Sequence, residues 1–298
     1  MPSSTLRYNA PTNLYGSDTA MLEHTFVHIP GIGSKTERGL WESGIESWKD
    51  VDGLDANSRD LRPRLRAQLA QYIPASRRAL AGRNAGFFSR LCRIGEAWRL
   101  FGTFAHDCVY LDIETTGLSL DHDQVTLVGL FDGDAYTVLL AGDNLHTLPE
   151  RLRPYSLVCT FNGAGFDLRF LQRAFPRLLL PPIHIDLRWA MRRLGYAGGL
   201  KVIESALGLQ RAPAVRDLTG LDAVLLWRRY LRGDRQALDL LIEYNAEDVR
   251  HLQTIMHTAY AALTQKTGLG VMTLPPPPAE MATAPGANAP STGSSFSP

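Results

Sequence analysis

The spacing of apolar residues along this chain changes from helical to strand-like near residue 107. Before that point, apolar side chains recur every three to four positions and predict an amphipathic helix, through Leu61, Leu65, Leu69 and Tyr72. We expect Pro74 to interrupt this helix and a second helix to follow it. After residue 107, short apolar runs bounded by turn residues alternate with helical segments, a pattern typical of an α/β sheet.

The α/β part begins with an apolar strand over residues 109–113. Its later strands are predicted at Gln124–Phe131, Ala135–Leu140 and Leu157–Phe161, with another extended stretch opening the segment His184–Leu194. Asp132-Gly133-Asp134 is a hairpin signal between the second and third strands. Predicted helices follow at Leu145–Leu152, after the glycine turn at 163–165, and at Gly199–Leu207, Leu221–Leu231 and Gln236–Lys266.

The first strand ends in a pair of acids. Asp112 and Glu114 lie two residues apart, so their carboxylates share one face of the strand. Thr115, Thr116 and Gly117 stop the strand at the position where open α/β sheets bind ligands. Two like charges held this close favour a cation between them. The alternative is a surface strand end with two solvated acids.

Two later segments supply further acids. Asp167 opens the helix after the glycine turn, and Asp248 shares one face of the longest helix with Tyr244. An acid in the inner stripe of a helix is costly to bury unless it is paired or binds a metal. Four carboxylates could therefore converge. The alternatives are a helix cap at Asp167, a core aromatic at Tyr244 and a structural ion pair at Asp248.

The net charge of +1 conceals a basic N-terminal block. Residues 58–101 carry ten arginines and no lysine, against only two acids. Guanidinium groups suit bidentate contacts with phosphate, so Arg62 and Arg66 are candidate nucleic-acid contacts. A solvated basic face would have the same composition.

A glycine turn precedes this block. Gly31 and Gly33 allow backbone amides to approach a phosphate at the start of a helix. Ser34 is the predicted N-cap, with Glu37 completing a capping box. The alternative is a structural turn that packs two tryptophans into a small core, Trp41 and Trp48.

Composition excludes several classes of protein. With 298 residues and 45% hydrophobic side chains, the chain can bury a large core. Its three cysteines lack metal-type spacing and are expected to be buried thiols of a reducing compartment. No apolar run reaches the roughly 18 residues of a membrane span, so we expect a cytoplasmic protein without membrane partners. The predicted organisation is a poorly ordered lead-in (1–21), a basic helical region (22–101), an α/β domain (102–268) and a disordered tail (269–298) rich in proline, alanine and serine.

The motifs in chain order resemble those of a known superfamily. Asp112-x-Glu114, Asn162-x-x-x-Phe166-Asp167 and Tyr244-x-x-x-Asp248 resemble the three exonuclease motifs of the DEDD superfamily of RNase H-like nucleases. Tyrosine four residues before the last Asp marks its DEDDy branch. Closer still, DIETTGL, the PGIG segment at 30–33 and YNAEDV resemble the YprB-like family. The implied fold is an RNase H-like mixed sheet flanked by helices. A small helical N-terminal region with a helix-hairpin-helix-like element would precede it.

This resemblance implies a two-metal-ion nuclease, most simply a 3′–5′ exonuclease using Mg²⁺ or Mn²⁺. Asp112 would bridge both cations, Glu114 and Asp248 would hold one of them, and Asp167 would serve the other. Tyr244 would orient the attacking water.

The implied substrate is DNA or RNA, with a single-stranded end. Asn162 would fix the turn or contact substrate, and Lys201 would touch a phosphate. An RNase H-like endonuclease and a catalytically silent nucleic-acid-binding protein of this fold are the alternatives.

Overall fold

A mixed sheet of six strands organises the part of the chain that the structure describes. The computed structural model describes residues 6–7, 21–53 and 61–269. The strands are β1 (Leu6–Arg7), β2 (Cys108–Thr115), β3 (Val125–Phe131), β4 (Ala135–Leu140), β5 (Leu157–Thr160) and β6 (Ile183–Asp186). Their order in space is β1-β4-β3-β2-β5-β6, with β5 and β6 parallel to β2 and the other pairs antiparallel. The predicted mixed sheet is confirmed.

Helices precede the sheet and cover it. In the N-terminal region they are α1 (Ser34–Glu42), α2 (Pro63–Ala81), α3 (Ala85–Leu91) and α4 (Phe101–Phe104). Those that follow β4 are α5 (Leu148–Leu152), α6 (Asp167–Ala174), α7 (Leu187–Arg193), α8 (Leu200–Ala206), α9 (Gly220–Tyr230) and α10 (Arg235–Lys266). The 3₁₀ turns Met21–His24, Trp48–Gly53 and Ile94–Leu100 complete the N-terminal region.

The topology fixes where a site can form. Because β2, β5 and β6 run parallel, their carboxyl ends meet at one edge of the sheet. Helix α6 starts soon after β5, and α7 starts directly after β6. Helix α10 packs across β2 and β3. Residues from the end of β2, the start of α6 and the middle of α10 can therefore meet.

The expected hairpin between β3 and β4 is confirmed. Gly133 adopts a left-handed φ of 98°. The side chain of Asp132 accepts hydrogen bonds from the amides of Asp134 and Ala135 at 2.9 and 2.8 Å. The turn residues therefore satisfy their own backbone, as the sequence pattern predicts.

The predicted capping box of α1 is wrong. Gly33 is the N-cap, and Ser34 is already the first helical residue. Glu37 is 1% exposed. Its Oε1 accepts hydrogen bonds from the amides of Phe26 and Val27, and its Oε2 pairs with Arg99 at 2.9 Å. The carboxylate of Glu37 therefore pairs with the buried Arg99, which is distant in sequence, and does not cap the start of α1 as the local spacing predicts.

The predicted break at Pro74 is also wrong. Helix α2 runs without interruption from Pro63 to Ala81, with Pro74 inside it. Its buried side chains include Leu69, Ile73 and Ala79, which pack into the main core. Tertiary packing of this face outweighs the backbone hydrogen bond that a proline removes.

One apolar core joins the N-terminal region to the sheet. Trp48 is 1% exposed, and its ring stacks on that of Phe88 with centroids 6.3 Å apart. The same cluster contains Tyr110 of β2 and Tyr260 of α10, whose hydroxyl accepts a hydrogen bond from the amide of Met21 at 3.1 Å. Trp41 packs against this core, so both tryptophans of the structural-turn alternative lie where it predicts.

The three cysteines, Cys92, Cys108 and Cys159, are buried free thiols, as expected. Within residues 6–7, 21–53 and 61–269, no helix combines the length and the apolar character that crossing a membrane requires. Most of the predicted lead-in and all of the predicted tail beyond residue 269 lie outside the described residues.

Candidate functional site

The two acids of β2 face helix α10. Asp112 pairs in register with Gly129 and Glu114 with Leu127 across β3, and a register irregularity follows Glu114. Asp112 is half-buried, and Glu114 is 7% exposed. The period of the strand therefore places both carboxylates on one inward face near its end.

Helix α10 brings a third acid to this pair. Carboxylate oxygens of Asp112, Glu114 and Asp248 all lie within 4.8 Å of one another, and the three residues together could hold a metal ion. The donors are all carboxylate oxygens, which hard divalent cations prefer. This donor set fits Mg²⁺ or Mn²⁺ and does not resemble a thiolate or imidazole site.

Asp167 stands at the start of α6, slightly apart from these three. Phe166 occupies the N-cap position, so the alternative that Asp167 merely caps its helix is wrong. The side chain is 4% exposed, and this burial raises its pKa to about 7. The amides of Asp167 and Ile113 donate hydrogen bonds that oppose the rise, whereas the charges of Asp186 and Asp248 add to it.

Burial and mutual repulsion govern the protonation of the clustered acids. Burial raises the pKa of Asp112 and of Glu114 well above the usual range, and the neighbouring carboxylates raise both further. The pKa of Asp248 rises to about 6 because burial outweighs the opposing charge of Arg211. A cation bound among these oxygens would oppose the rise and favour the charged carboxylates.

Asn245, next to Tyr244 on α10, orients Asp112 through a hydrogen bond. Its Nδ2 donates to Oδ2 of Asp112 at 2.9 Å, and its Oδ1 accepts from the hydroxyl of Tyr136 at 3.1 Å. A Cβ atom on Gly129 would lie 1.7 Å from Oδ1 of Asn245, so only glycine leaves room for this contact. The sequence pattern did not single out Asn245 or Gly129. Only the adjacency of Asn245 to Tyr244 and the register of β3 point to them.

Arg211 is a second residue that the sequence pattern did not mark. It lies between α8 and α9 and is 6% exposed. Its Nη2 donates to Asp248 Oδ1, while Nε and Nη2 donate to the two oxygens of Glu204 at 2.8 and 2.6 Å. Asp248 therefore belongs both to the acid cluster and to an ion pair. The sequence presented a metal ligand and a structural ion pair as alternatives for this residue, and the structure is compatible with both.

Tyr244 lies close to the clustered acids and to two basic side chains, those of Lys201 and Arg211. It is 6% exposed and packs with residues of α9 and α10. The ring centroid is 5.4 Å from Nζ of Lys201 and 5.3 Å from the guanidinium carbon of Arg211. Burial and the charges of Asp248 and Glu114 raise the pKa of the phenol, so Tyr244 is a hydrogen-bond donor at neutral pH.

Asn162 shapes the turn that leads to Asp167. It has a left-handed φ of 64°, and its amide donates to Asp186 Oδ1 at 2.8 Å. Asp186 also accepts from the amides of Ala164 and Arg188 at 3.2 and 3.1 Å, so this acid is occupied by the turn and the start of α7. The side-chain oxygen of Asn162 accepts from Arg188 Nη1 at 2.6 Å.

The N-terminal candidates lie in the turn before α1 and at the start of α2. Gly31 has a φ of 86°, and a Cβ there would lie 2.4 Å from Gln68 Nε2, which donates to Pro30 O. Gly33 is the extended N-cap of α1, and Arg62 is the exposed N-cap of α2, one turn before Arg66. The hydrogen bond of Gln68 fastens the turn to α2, so these candidates gather in the N-terminal region, whereas the acid cluster is built from β2 and α10.

Carboxylates already pair with several arginines of the basic block. Arg77 pairs with Asp52 and Arg83 with Asp107, each at 2.8 Å. Arg99 is buried between Glu37 and Glu96. Part of the basic composition is therefore structural, and Arg59 lies outside the described residues.

Comparison with known proteins identifies the family. A model of the RNase H superfamily, RNase_H_2, matches residues 109–260, about half of the chain. The chain belongs to this family and has its RNase H-like nuclease fold. No curated protein matches the chain.

Solved structures of nucleases and polymerases are similar to this chain at low identity. The family B DNA polymerase of Pyrobaculum calidifontis is 15% identical, over 53% of this chain and 24% of that one, with a TM-score of 0.39. Brucella melitensis NrnC bound to pGG is 24% identical over 57% and 87% of the two chains, with a TM-score of 0.36. The EXO domain of Aedes aegypti Nibbler is 13% identical over 57% and 85%, with a TM-score of 0.35.

Proposed function

We propose that this chain is a metal-dependent phosphodiester hydrolase that shortens nucleic acid strands in the 3′–5′ direction, with a DEDDy type of active site. One observation carries the proposal, namely the convergence of Asp112, Glu114 and Asp248 beside Tyr244. A binding protein gains nothing from burying acids together, because each one costs free energy unless a cation compensates it.

The chain's residues divide the work. Asp112, Glu114 and Asp248 would hold one divalent cation, Mg²⁺ or Mn²⁺, and Asp167 with Asp112 would hold a second. Such a pair of ions supplies charge to stabilise the attacking and leaving oxygens of a phosphodiester. Asn245 keeps Asp112 oriented through its 2.9 Å hydrogen bond.

Tyr244 acts as a donor and not as a base. Its raised pKa keeps the hydroxyl protonated at neutral pH, so it can donate a hydrogen bond to the attacking water or to a substrate oxygen. Lys201 would touch a phosphate of the substrate, and its half-buried position 5.4 Å from the Tyr244 ring centroid supports this role. Asn162 would contact the substrate from the turn that it shapes.

The proposed substrate is DNA or RNA with a single-stranded end. The experiment uses matched DNA and RNA oligonucleotides, labelled at either end, with Mn²⁺ or with a chelator. A ladder from the 5′-labelled strand shows stepwise removal from the 3′ end. Internal cuts would identify an endonuclease, and no metal-dependent cleavage of either polymer would identify a binding protein.

Variants assign the residues. Asp112→Asn should remove cleavage, and Tyr244→Phe should lower the rate about 100-fold by deleting one donor. Asp239→Asn is the matched control, because Asp239 is an exposed acid of the same helix. Equal losses in all three variants would argue against this assignment.

We also propose that the N-terminal region contacts phosphates through the amides at Gly31 and Gly33 and through Arg62 and Arg66. The exposure of Arg62 at the start of α2 supports this. The affinity of Arg62→Gln with Arg66→Gln for single strands should fall less steeply with salt than that of the wild type. An unchanged salt slope would contradict the contact.

A further inference from the structure

A buried network of ion pairs lies beside Asp248, one of the clustered acids. Nε and Nη2 of Arg211 donate to the two oxygens of Glu204, and Nη2 also donates to Oδ1 of Asp248. His251, one turn after Asp248 on α10, extends this network, with Nδ1 at 2.9 Å from Glu204 Oε1. The side chains of Arg211 and Glu204 are each 4% exposed. Four side chains from three segments thus fix one another.

This network leaves the second carboxylate oxygen of Asp248, Oδ2, without a hydrogen bond among the described residues. Within the described residues, the hydrogen bonds of Asp248 reach only Oδ1. The same carboxylate belongs to the group in which oxygens of Asp112 and Glu114 lie within 4.8 Å. A bidentate guanidinium–carboxylate pair has a fixed planar geometry, so Glu204 determines the orientation of Arg211, and Arg211 determines that of Asp248.

We infer that Arg211 is a positioning residue of the metal centre. Glu204 fixes the guanidinium of Arg211, and Arg211 in turn holds Oδ1 of Asp248, so that the other oxygen of Asp248 faces a divalent cation. This inference rests on the proposed function, because it assumes that Asp248 binds the cation. Hydrogen-bond partners of metal-binding carboxylates and imidazoles typically change metal affinity by about 10- to 100-fold.

A competing role has the opposite sign. The guanidinium could instead serve as a built-in counter-ion that a metal must displace from Asp248. Removing a positioning residue weakens metal binding, whereas removing a competitor strengthens it. The sign of the change therefore decides between the two roles.

The test measures Mn²⁺ binding to the full chain by electron paramagnetic resonance, without nucleic acid. Arg211→Gln should weaken binding about 10- to 100-fold. Arg211→Lys should recover part of the loss, because an ammonium keeps the charge without the bidentate fork. Glu204→Gln should also weaken binding, since the guanidinium then loses its clamp. Arg229→Gln is the matched control, because it breaks an exposed pair with Asp234 outside the site.

A double-variant comparison excludes a merely structural effect. In an Asp248→Asn background, Arg211→Gln should cause no further loss of Mn²⁺ affinity, since the carboxylate it positions is gone. Circular dichroism checks that each variant is folded, and Arg211→Lys with Glu204→Gln carry the test if Arg211→Gln unfolds. Unchanged or tighter Mn²⁺ binding in these variants would overturn the inference. A wild-type chain that binds no Mn²⁺ would overturn the proposed function with it.

Discussion

At the scale of single residues, folding holds like charges together at the end of β2. Three carboxylates approach within 4.8 Å, and a fourth, Asp167, is buried near enough for its charge to raise the pKa of Asp112. Two polar contacts offset part of this cost, one from Asn245 to Asp112 and one from Arg211 to Asp248. The repulsion that these contacts leave lowers the free energy of unfolding, and a cation that binds the folded site would raise it again.

Asp167→Asn should stabilise the metal-free protein, and increasingly so as the pH rises. Because burial raises the pKa of Asp167 from 3.8 to about 7, the folded state retains a proton that the unfolded chain releases. The stability from this group is fully present below the unfolded pKa and is lost as the pH rises through the folded pKa. The amide does not titrate. We therefore expect the free energy of unfolding of the variant, relative to that of the wild type, to increase by on the order of a few kcal/mol between pH 4 and pH 7.

Urea unfolding at several pH values measures this difference. Comparing the two proteins is necessary because burial lowers the pKa of His28 and of His257 to about 4, which makes stability rise over part of the same range. Those histidines are common to both proteins and cancel in the difference. Asp239→Asn serves as the exposed control. Curves that stay parallel from pH 4 to pH 7 would show that Asp167 titrates normally.

Residue spacing indicated which acids could converge, but it gave no sign of the residues that surround them. Asp112 and Glu114 follow from the period of a strand, and Asp248 from the inner stripe of a long helix. Arg211 lies in an irregular segment, 37 residues before the acid it contacts. No periodicity connects such residues, because their contact depends on how α8, α9 and α10 pack.

At the scale of elements, the two glycines in the turn before α1 differ in how strongly their positions require glycine. Gly31→Ala should destabilise the protein by about 1–3 kcal/mol, because the residue has a φ of 86° and a Cβ would meet Gln68. Gly33→Ala should change little, because Gly33 is extended and no atom lies within 4 Å of the place where a Cβ would stand. Thermal unfolding compares the two variants. Equal losses would mean that the turn as a whole, and not the left-handed residue, is sensitive.

Pro74→Ala should raise the free energy of unfolding by about 1–2 kcal/mol. The substitution restores a helical hydrogen bond inside α2, and the unfolded chain regains some entropy that offsets part of the gain. Pro74 is exposed, so no core packing is lost. Urea unfolding measures the change, with Ala75→Gly as a control of opposite sign on the same helix. A destabilised Pro74→Ala protein would show that the proline fits a local distortion of α2.

The element pattern predicted the sheet better than the N-terminal helices. Every strand expected after residue 107 is present, with ends shifted by a residue or two. Short apolar runs and the turn residues that bound them are local signals, so they can be recognised in the sequence. The course of α2 through Pro74 depends instead on packing against α3 and the 3₁₀ turn Trp48–Gly53, which no local signal contains.

At the scale of the whole molecule, the N-terminal region shares one core with the sheet, and an ion pair links it to α7. Arg99 pairs with Glu37 and Glu96, and Glu96 pairs with Arg193 of α7 at 2.8 Å. We therefore expect a single cooperative unfolding transition in calorimetry, with equal calorimetric and van't Hoff enthalpies.

The truncated chain 102–268 is the control for this expectation. Without residues 21–101, the apolar surfaces around Tyr260 and Tyr110 lose their cover. The fragment should lack a sharp transition and bind a hydrophobic dye. Two separate transitions in the intact chain, or a fragment that unfolds as sharply as the whole, would contradict a shared core.

The placement of the N-terminal chain also affects how copies of this protein meet. Leu6–Arg7 pairs with β4 at one side of the sheet, and helix α3 with the 3₁₀ turn Ile94–Leu100 packs against β6 at the other. Open strand edges are templates for pairing between molecules, and proteins commonly cover them. The N-terminal chain would thus also protect against aggregation, and loss of residues 1–101 would compromise solubility even where the acids of β2 and α10 remained intact.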